Sequence, residues 1–452
     1  MSGVLHGVIA SLKAAAAAAT DSFFKYVTLL LNTTSTNGAQ NNTFLDSSTN
    51  NFSITRNGNT TQGTFSPFSQ TGWSNYFDGT GDYLTLASNA AFGLGTGDFT
   101  IEMWVYATAN TANGPGTIFD LRTTNNATAA AIRVTSSLNI LFYNGPANTE
   151  INVGTIQLNT WVHIAHVRSS GSLKTYINGT LSNTTAVSNN LGSNQPCMIG
   201  NNQTAGYSWN GYISGARIVK GTAVYTANFT PPTAPLTAIT NTSLLCNFTN
   251  AGIYDASAIN DLETVGNAQV STTVTKFGTT SMAFDGTGDY LTVPNNAAFD
   301  FRSSDFTIEA WVNIASASGV KTIVSKISNF GPFLIVINGT TVLYYLSSTG
   351  SSWNIANGVS GGTVSVGAWA HVALVRSGST FTPYVNGVAG TTTTSASALA
   401  VNTHNVLIGA LQTSAPSIAE LFNGYIDDLR ITNGYARYTA NFTPPTAAFP
   451  TS

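Results

Sequence analysis

The chain has 452 residues, of which 42% are hydrophobic and 11% aromatic; that is too long for one small domain and too apolar for a disordered chain. Only 8% of residues are charged and the net charge is -3, which excludes the cationic surface a nucleic-acid partner requires. Two cysteines, Cys197 and Cys246, exclude a disulfide framework or a four-cysteine zinc site and are expected as buried thiols.

From the N-terminus, Val4, Leu5, Val8, Ile9 and Leu12 form one helical stripe, continued by the alanine run 14–19. The pattern predicts an amphipathic α-helix within residues 1–22. So short a helix is marginal alone in water and needs a partner, so it is expected to anchor the chain to identical copies or to a larger assembly. A signal peptide is disfavoured because no basic residue precedes the apolar stretch and Lys13 interrupts it. No apolar run is long enough for a membrane span. Next, the strand-forming FFKYVTLLL reads as the opening strand of a first unit, its last part matching SLLCNF at 243–248.

The remainder repeats. FDGTGDYLTL at 77–86 returns as FDGTGDYLTV at 284–293, and DFTIEMWV at 98–105 as DFTIEAWV at 305–312. TWVHIAHVRSSGSLKTYING at 160–179 returns at 368–387, and the block ending YTANFTPPT closes both copies, at 225–233 and 438–446. Units this long are whole domains, predicted over 23–235 and 236–452, with a proline-stiffened exit at 230–238. Within each unit the hydrophobic period is two. Phe99, Ile101, Met103 and Val105 share one face and Thr100, Glu102 and Trp104 the other; Trp161, His163, Ala165 and Val167 alternate with Val162, Ile164, His166 and Arg168. Hairpin signals stand at Asp78-Gly79, Asn144-Gly145, Asn178-Gly179 and Asn210-Gly211. Short strands with Gly and Asn turns predict an all-β chain of two tandem antiparallel jelly-roll sandwiches, preceded by the short helix.

The blocks FDGTGDYL, DFTIEMWV, WVHIAHVR, YING and NGYIDDLRI resemble the laminin-G-like branch of the concanavalin A-like lectin and glucanase superfamily over both units. The ending YTANFTPPTAP resembles segments of marine phage structural proteins. The first resemblance implies a lectin-type sandwich; the second implies a virion component.

Glycanases of that superfamily carry acids two apart on one strand, and retaining hydrolysis needs such a pair about 5 Å apart. Here Glu102 and Glu309 stand alone, flanked at those spacings by Thr100, Trp104, Thr307 and Trp311, so a structural glutamate and no enzyme are expected. His163 and His371 recur without a nucleophile and read as buried structural histidines. Calcium is the one cofactor the residues leave open. Asp78 and Asp82, and again Asp285 and Asp289, lie four apart in Gly-rich loops, and Asp427 and Asp428 appear only in the second unit, where the first has Ser214 and Gly215. Ordinary Asp-Gly turn chemistry is the competing reading.

Sorted between copies, Trp104, Trp161, Trp311 and Trp369 read as core. Trp353 with Tyr344 and Tyr345 is the leading glycan-contact group, and Trp209 with Tyr207 the second, because flat aromatics stack on sugar C–H faces. The expected function is a virion structural protein, such as a tail or head fibre or decoration protein. It would be joined to other virion proteins through its N-terminal helix, homo-oligomeric, and directed at host-surface glycans. A secreted or cell-surface bacterial adhesin of the same modules is the alternative, and a purely structural capsid- or tail-stabilising role without sugar binding is a further one.

Overall fold

The computed structural model describes residues 21–33, 40–44, 50, 53–68, 72–110, 114–124, 128–204, 206–248, 253–255, 263–414 and 416–451. The stripe Val4, Leu5, Val8, Ile9 and Leu12 lies outside them. Within them, helix is confined to short 3-10 turns such as Ala90–Phe92 and Ala297–Phe299, whose preceding Asn89 and Asn296 side chains accept from Ala91 N and Ala298 N. Everything else regular is strand, and every pairing between named strands is antiparallel.

Two sandwiches result. In the first, Asn210–Lys220 and Phe99–Ala107 lie at the middle of an eight-stranded sheet that faces a seven-stranded sheet centred on Gly116–Asp120 and Gln195–Ile199. In the second, Asn423–Asn433 and Phe306–Ile314 hold the same place in a ten-stranded sheet, opposite a seven-stranded sheet that includes Val320–Ser325, Phe333–Asn338 and Thr341–Leu346. Period-two patterning explains the cores. Phe99, Ile101, Met103 and Val105 are all buried between the sheets of the first sandwich, as are Phe306, Ile308, Ala310 and Val312 in the second. Cys197 and Cys246 are buried free thiols.

Some expected turns are placed differently. Asn178-Gly179 is a true hairpin, with positive φ at both residues, and a Cβ on Gly179 would meet the Phe229 carbonyl. Asn210-Gly211, in contrast, begins a long strand, and Asn144-Gly145 leads into a 3-10 turn. Trp104 and Trp311 are not sandwich core: they project from the outer face of the larger sheet, where each packs against His163 or His371.

The opening strand is the main departure from the sequence reading. Val27–Thr33 does not enter the first sandwich. It pairs with Asn423–Asn433 of the second, Leu30 opposite Arg430 and Leu31 opposite Leu429, and buries Leu29 and Leu31 in the second core. Thr242–Cys246 makes the reciprocal move. It pairs with Asn210–Lys220, Leu245 opposite Arg217 and Cys246 opposite Ala216, and sends Leu244 and Cys246 into the first core. Equivalent strands have therefore changed places, so the sandwiches do not coincide with the repeats 23–235 and 236–452. The crossing is tied by Asn41, whose side chain accepts from Ile253 N at 2.9 Å and donates to Ile253 O at 2.5 Å.

The recurrent YTANFTPPT is a clasp over the outer face of each larger sheet. Tyr225 stacks on Phe229 and Tyr438 on Phe442, both at 3.6 Å and 6°, against Ala165, Val167 and Tyr176 or Ala373, Val375 and Tyr384. Backbone bonds from Phe229 N to Gly179 O and from Phe442 N to Gly387 O, each 2.9 Å, fix the clasp to the hairpin turns.

Candidate functional site

Beneath each clasp lies a fully buried glutamate. Glu102 accepts from Arg217 Nε at 2.9 Å and from the Tyr225 hydroxyl at 2.8 Å, and its Oε2 stands 3.3 Å from His163 Nε2. Glu309 accepts from Arg430 Nε at 2.9 Å, Arg430 NH2 at 2.7 Å and the Tyr438 hydroxyl at 2.8 Å, with His371 Nε2 at 3.2 Å. Burial alone would raise both carboxyls. The neighbours outweigh it: the hydrogen bond of His163 and the Arg217 guanidinium hold Glu102 below its ordinary value, and the Arg430 guanidinium with the hydrogen bond of His371 brings Glu309 to about 2. An arginine-paired carboxylate enclosed under a clasp holds the clasp down.

The aspartates are likewise engaged. Asp82 accepts from Asn59 N and Asp78 N at 2.8 and 3.0 Å, and Asp289 accepts from Asn267 N and Asp285 N at 2.8 and 2.9 Å, using both oxygens of each. Asp78 and Asp285 close their own turns onto Thr80 N and Thr287 N. Burial raises Asp82 to about 6 and raises Asp289 as well. Asp427 accepts from Lys276 N and Phe277 N, while Asp428 accepts from Phe449 N, so these neighbours serve different segments. Among the described residues no three His, Cys, Asp or Glu side chains form a group able to hold a metal. Each of the six aspartates accepts from the backbone, as Asx turns and loop clamps do.

The aromatic candidates separate by strand parity. In Thr341–Leu346, Val342, Tyr344 and Leu346 point into the core and Leu343 and Tyr345 point outward. Tyr344 is therefore no surface contact: it is buried, and its hydroxyl donates to Thr391 O at 3.0 Å. Trp209 is also corrected. It is fully buried in the first core, the position that Phe422 fills in the second.

Tyr345 and Trp353 do come together. They lie 5.4 Å apart between ring centres, tilted by 55°, and Phe330 meets Trp353 edge-on at 5.5 Å. They stand over Ile327, Leu334, Val336 and Leu411 on the outer face of the second module's smaller sheet, lining a cleft of about 240 Å³ whose polar groups are Asn329, Asn338, Gln412, Thr413 and the Glu420 carboxyl. The loop carrying Trp353 is organised by buried Ser347, which accepts from Thr349 N and Gly350 N, and by Asn354, which accepts from Ser348 N. Phe330, Asn329 and Gln412 escaped the sequence reading because they arrive from two other loops or strands.

Tyr207 stands at the corresponding face of the first module, in a cleft of about 230 Å³ with Thr117, Arg122, Arg133, Tyr143 and Glu150. Asn201 fixes its loop by accepting from Asn202 N and Tyr207 N, while Thr117 N donates to Tyr207 O.

Each module is thus a two-sheet antiparallel sandwich of the concanavalin A-like type, with a solvent-facing cleft on the smaller sheet. A family model described as the concanavalin A-like lectin/glucanases superfamily matches residues 78–224 and 285–437, more than half of the chain, and the chain belongs to that superfamily. Among solved structures it is similar to the binding domain of botulinum neurotoxin serotype G, at 12% identity over 42% of this chain and 47% of that one, with a TM-score of 0.32. It is also similar to domains LG4-5 of mouse laminin α1, at 14% identity, 88% and 98% coverage and a TM-score of 0.29. The Ruminococcus gnavus IT-sialidase CBM40 follows at 16% identity, 32% and 82% coverage and a TM-score of 0.28. The chain spans about half the length of the toxin binding domain it matches, 47%. No curated protein matches the sequence. No helix among the described residues is long and apolar enough to cross a membrane.

Proposed function

We propose that this is a non-enzymatic glycan-binding protein whose second module takes a sugar in the Tyr345–Trp353 cleft. The carrying observation is the pair of flat rings held at 5.4 Å above an apolar floor, with amide side chains at the margin. A pyranose presents an apolar C–H face to such rings and hydroxyls to such amides. Glu102 and Glu309 are each fully buried and bound to an arginine, and the one further carboxylate near Glu309, Asp21, is held on the same Arg430, an arrangement that supports binding without turnover.

The favoured setting is a virion, with the module directed at host-surface glycans, the chain repeated as a homo-oligomer and the N-terminal segment attached to other virion proteins. This part rests on the resemblance of the YTANFTPPT ending and on the apolar stripe at residues 4–12. Repetition would raise weak single-site affinity through avidity. Trp353→Ala, with Trp353→Phe as the conservative companion, tests the site on a neutral glycan panel. Affinity should fall roughly tenfold or more for Ala and be partly retained for Phe, as loss of a stacking face entails. Unchanged binding by Trp353→Ala would overturn the assignment.

A further inference from the structure

Three strands of the smaller sheets, Gly116–Asp120, Ala130–Val134 and Asn139–Asn144 in the first module and Val320–Ser325, Phe333–Asn338 and Thr341–Leu346 in the second, pair in corresponding register, yet their outer faces carry different chemistry. Thr117 lies opposite Arg133 as Thr322 lies opposite Val336, and Asp120 opposite Ala131 as Ser325 opposite Leu334. Tyr143 and Tyr345 hold one position, facing Ala131 and Leu334. Counting along the strands, Arg122 and Arg133 stand where the second module has Ile327 and Val336. The apolar floor of one cleft is replaced in the other by two guanidinium groups.

These guanidiniums differ in their freedom. Arg122 is held by buried Asp120 through Nε to Oδ1 and NH2 to Oδ2, both 2.8 Å, and lies 4.7 Å over the Tyr143 ring. It is a fixed wall. Arg133 instead lies over Tyr207 at 5.6 Å and pairs with one oxygen of Glu150, Nε to Oε1 at 2.8 Å and NH2 to Oε1 at 2.6 Å, with side-chain exposures of 30% and 40%. Exposed pairs of this kind contribute little and exchange readily, whereas a guanidinium fork suits a planar oxyanion.

We propose that the first module carries a second saccharide site, selective for an acidic sugar whose carboxylate or sulfate displaces Glu150 from Arg133 while its ring lies against Tyr207 and Tyr143. The inference rests on the reading that the outer faces of the smaller sheets bind sugars. One chain then recognises two chemically different glycan features, a neutral one by stacking in the second module and an anionic one by charge in the first.

The test uses the full chain in calorimetric or NMR titrations with three probes: oligogalacturonate, its carboxyl-reduced neutral counterpart, and a sulfated galactan oligosaccharide. The expected pattern is binding of at least one acidic probe that weakens with added salt and falls roughly tenfold or more in Arg133→Ala. Arg133→Met, which keeps the aliphatic stem against Tyr207, should lose binding equally. Glu150→Gln removes the internal competitor and should tighten the same probe several-fold, and Trp353→Ala should leave it unchanged. Failure of both acidic probes to bind in an Arg133-dependent way, or weaker binding by Glu150→Gln, overturns the proposal. Loss of the Trp353 effect on neutral glycans with the Arg133 and Glu150 effects intact would sink the second-module reading alone.

Discussion

Asp428 sits in a left-handed turn, φ 49°, at the bulge of strand Asn423–Asn433, where the first module has Gly215 at φ 55°. Burial raises its carboxyl to about 7, with Asp427 adding repulsion; burial likewise raises Asp427 to about 6. A folded-state value above the unfolded one means a contribution fully present below the ordinary carboxylate range and lost as pH rises through the folded value. The window therefore runs from about 4 to about 7. Glu309 has the opposite sign: its value of about 2 gives a contribution present above the ordinary range and lost as pH falls toward 2. Together they place maximal stability near pH 4, which thermal melts across pH 3 to 9 should show as a maximum. Asn tolerates the left-handed turn and keeps an oxygen for Phe449 N, so Asp428→Asn should add on the order of 1–2 kcal/mol at pH 8 and little at pH 4. A flat difference between those two pH values would contradict the burial account. Of the candidate site, Tyr345 and Trp353 were legible as surface aromatics, and parity alone, Val342-Tyr344-Leu346 against Leu343-Tyr345, was enough to send Tyr344 inward. Phe330 and Gln412 were not legible, because no local period reports which distant loops a fold brings to one face.

The clasp explains why the block YTANFTPPT is so well kept between the repeats. It covers the outer face of the larger sheet, which otherwise would expose Ala165, Val167 and Tyr176 or their counterparts, and it supplies the tyrosine that completes the coordination of the buried glutamate. Glu309→Gln should therefore cost about 3–5 kcal/mol, because Arg430 and His371 would remain buried beside a group that no longer carries charge. Tyr438→Phe removes one hydrogen bond to an ionised carboxylate and should cost about 1.5–3 kcal/mol while preserving the stack on Phe442. Urea unfolding of both variants checks the order; a larger loss for Tyr438→Phe would show that the clasp, and not the ion network, dominates. Sequence alternation had already put Glu102 on the face opposite Phe99, Ile101, Met103 and Val105. What it lacked was any sign that a non-strand segment covers that face.

Reciprocal exchange of Val27–Thr33 and Thr242–Cys246 makes the two repeats one object. Both strands are short and apolar, so hydrophobicity alone suits Leu29 and Leu31 to either sandwich, which is why the repeat was legible and the exchange was not. The discriminating contacts lie just before the strand. Asp21 pairs with Arg430 at 3.2 Å and with Arg437 at 2.8 Å, and Phe23 stacks on Tyr435 at 3.8 Å. In the first repeat Val224 and Thr222 occupy the places of Arg437 and Tyr435, so the same arm folded back on its own unit would lose a salt bridge and a ring contact. Each core is completed by the other repeat, and neither can open without exposing apolar residues of both. Calorimetry should then give one cooperative transition, with calorimetric and van't Hoff enthalpies in agreement, where two independent modules would give two. Cleavage at a protease site inserted between residues 34 and 39 of the full chain offers the decisive comparison. The severed arm should remain bound through native gel filtration, held by its ladder to Asn423–Asn433 and by Asp21, and Asp21→Ala should hasten its release. Dissociation of the arm from an otherwise intact protein, or two separate melting transitions, would mean that the exchange contributes no coupling between the sandwiches.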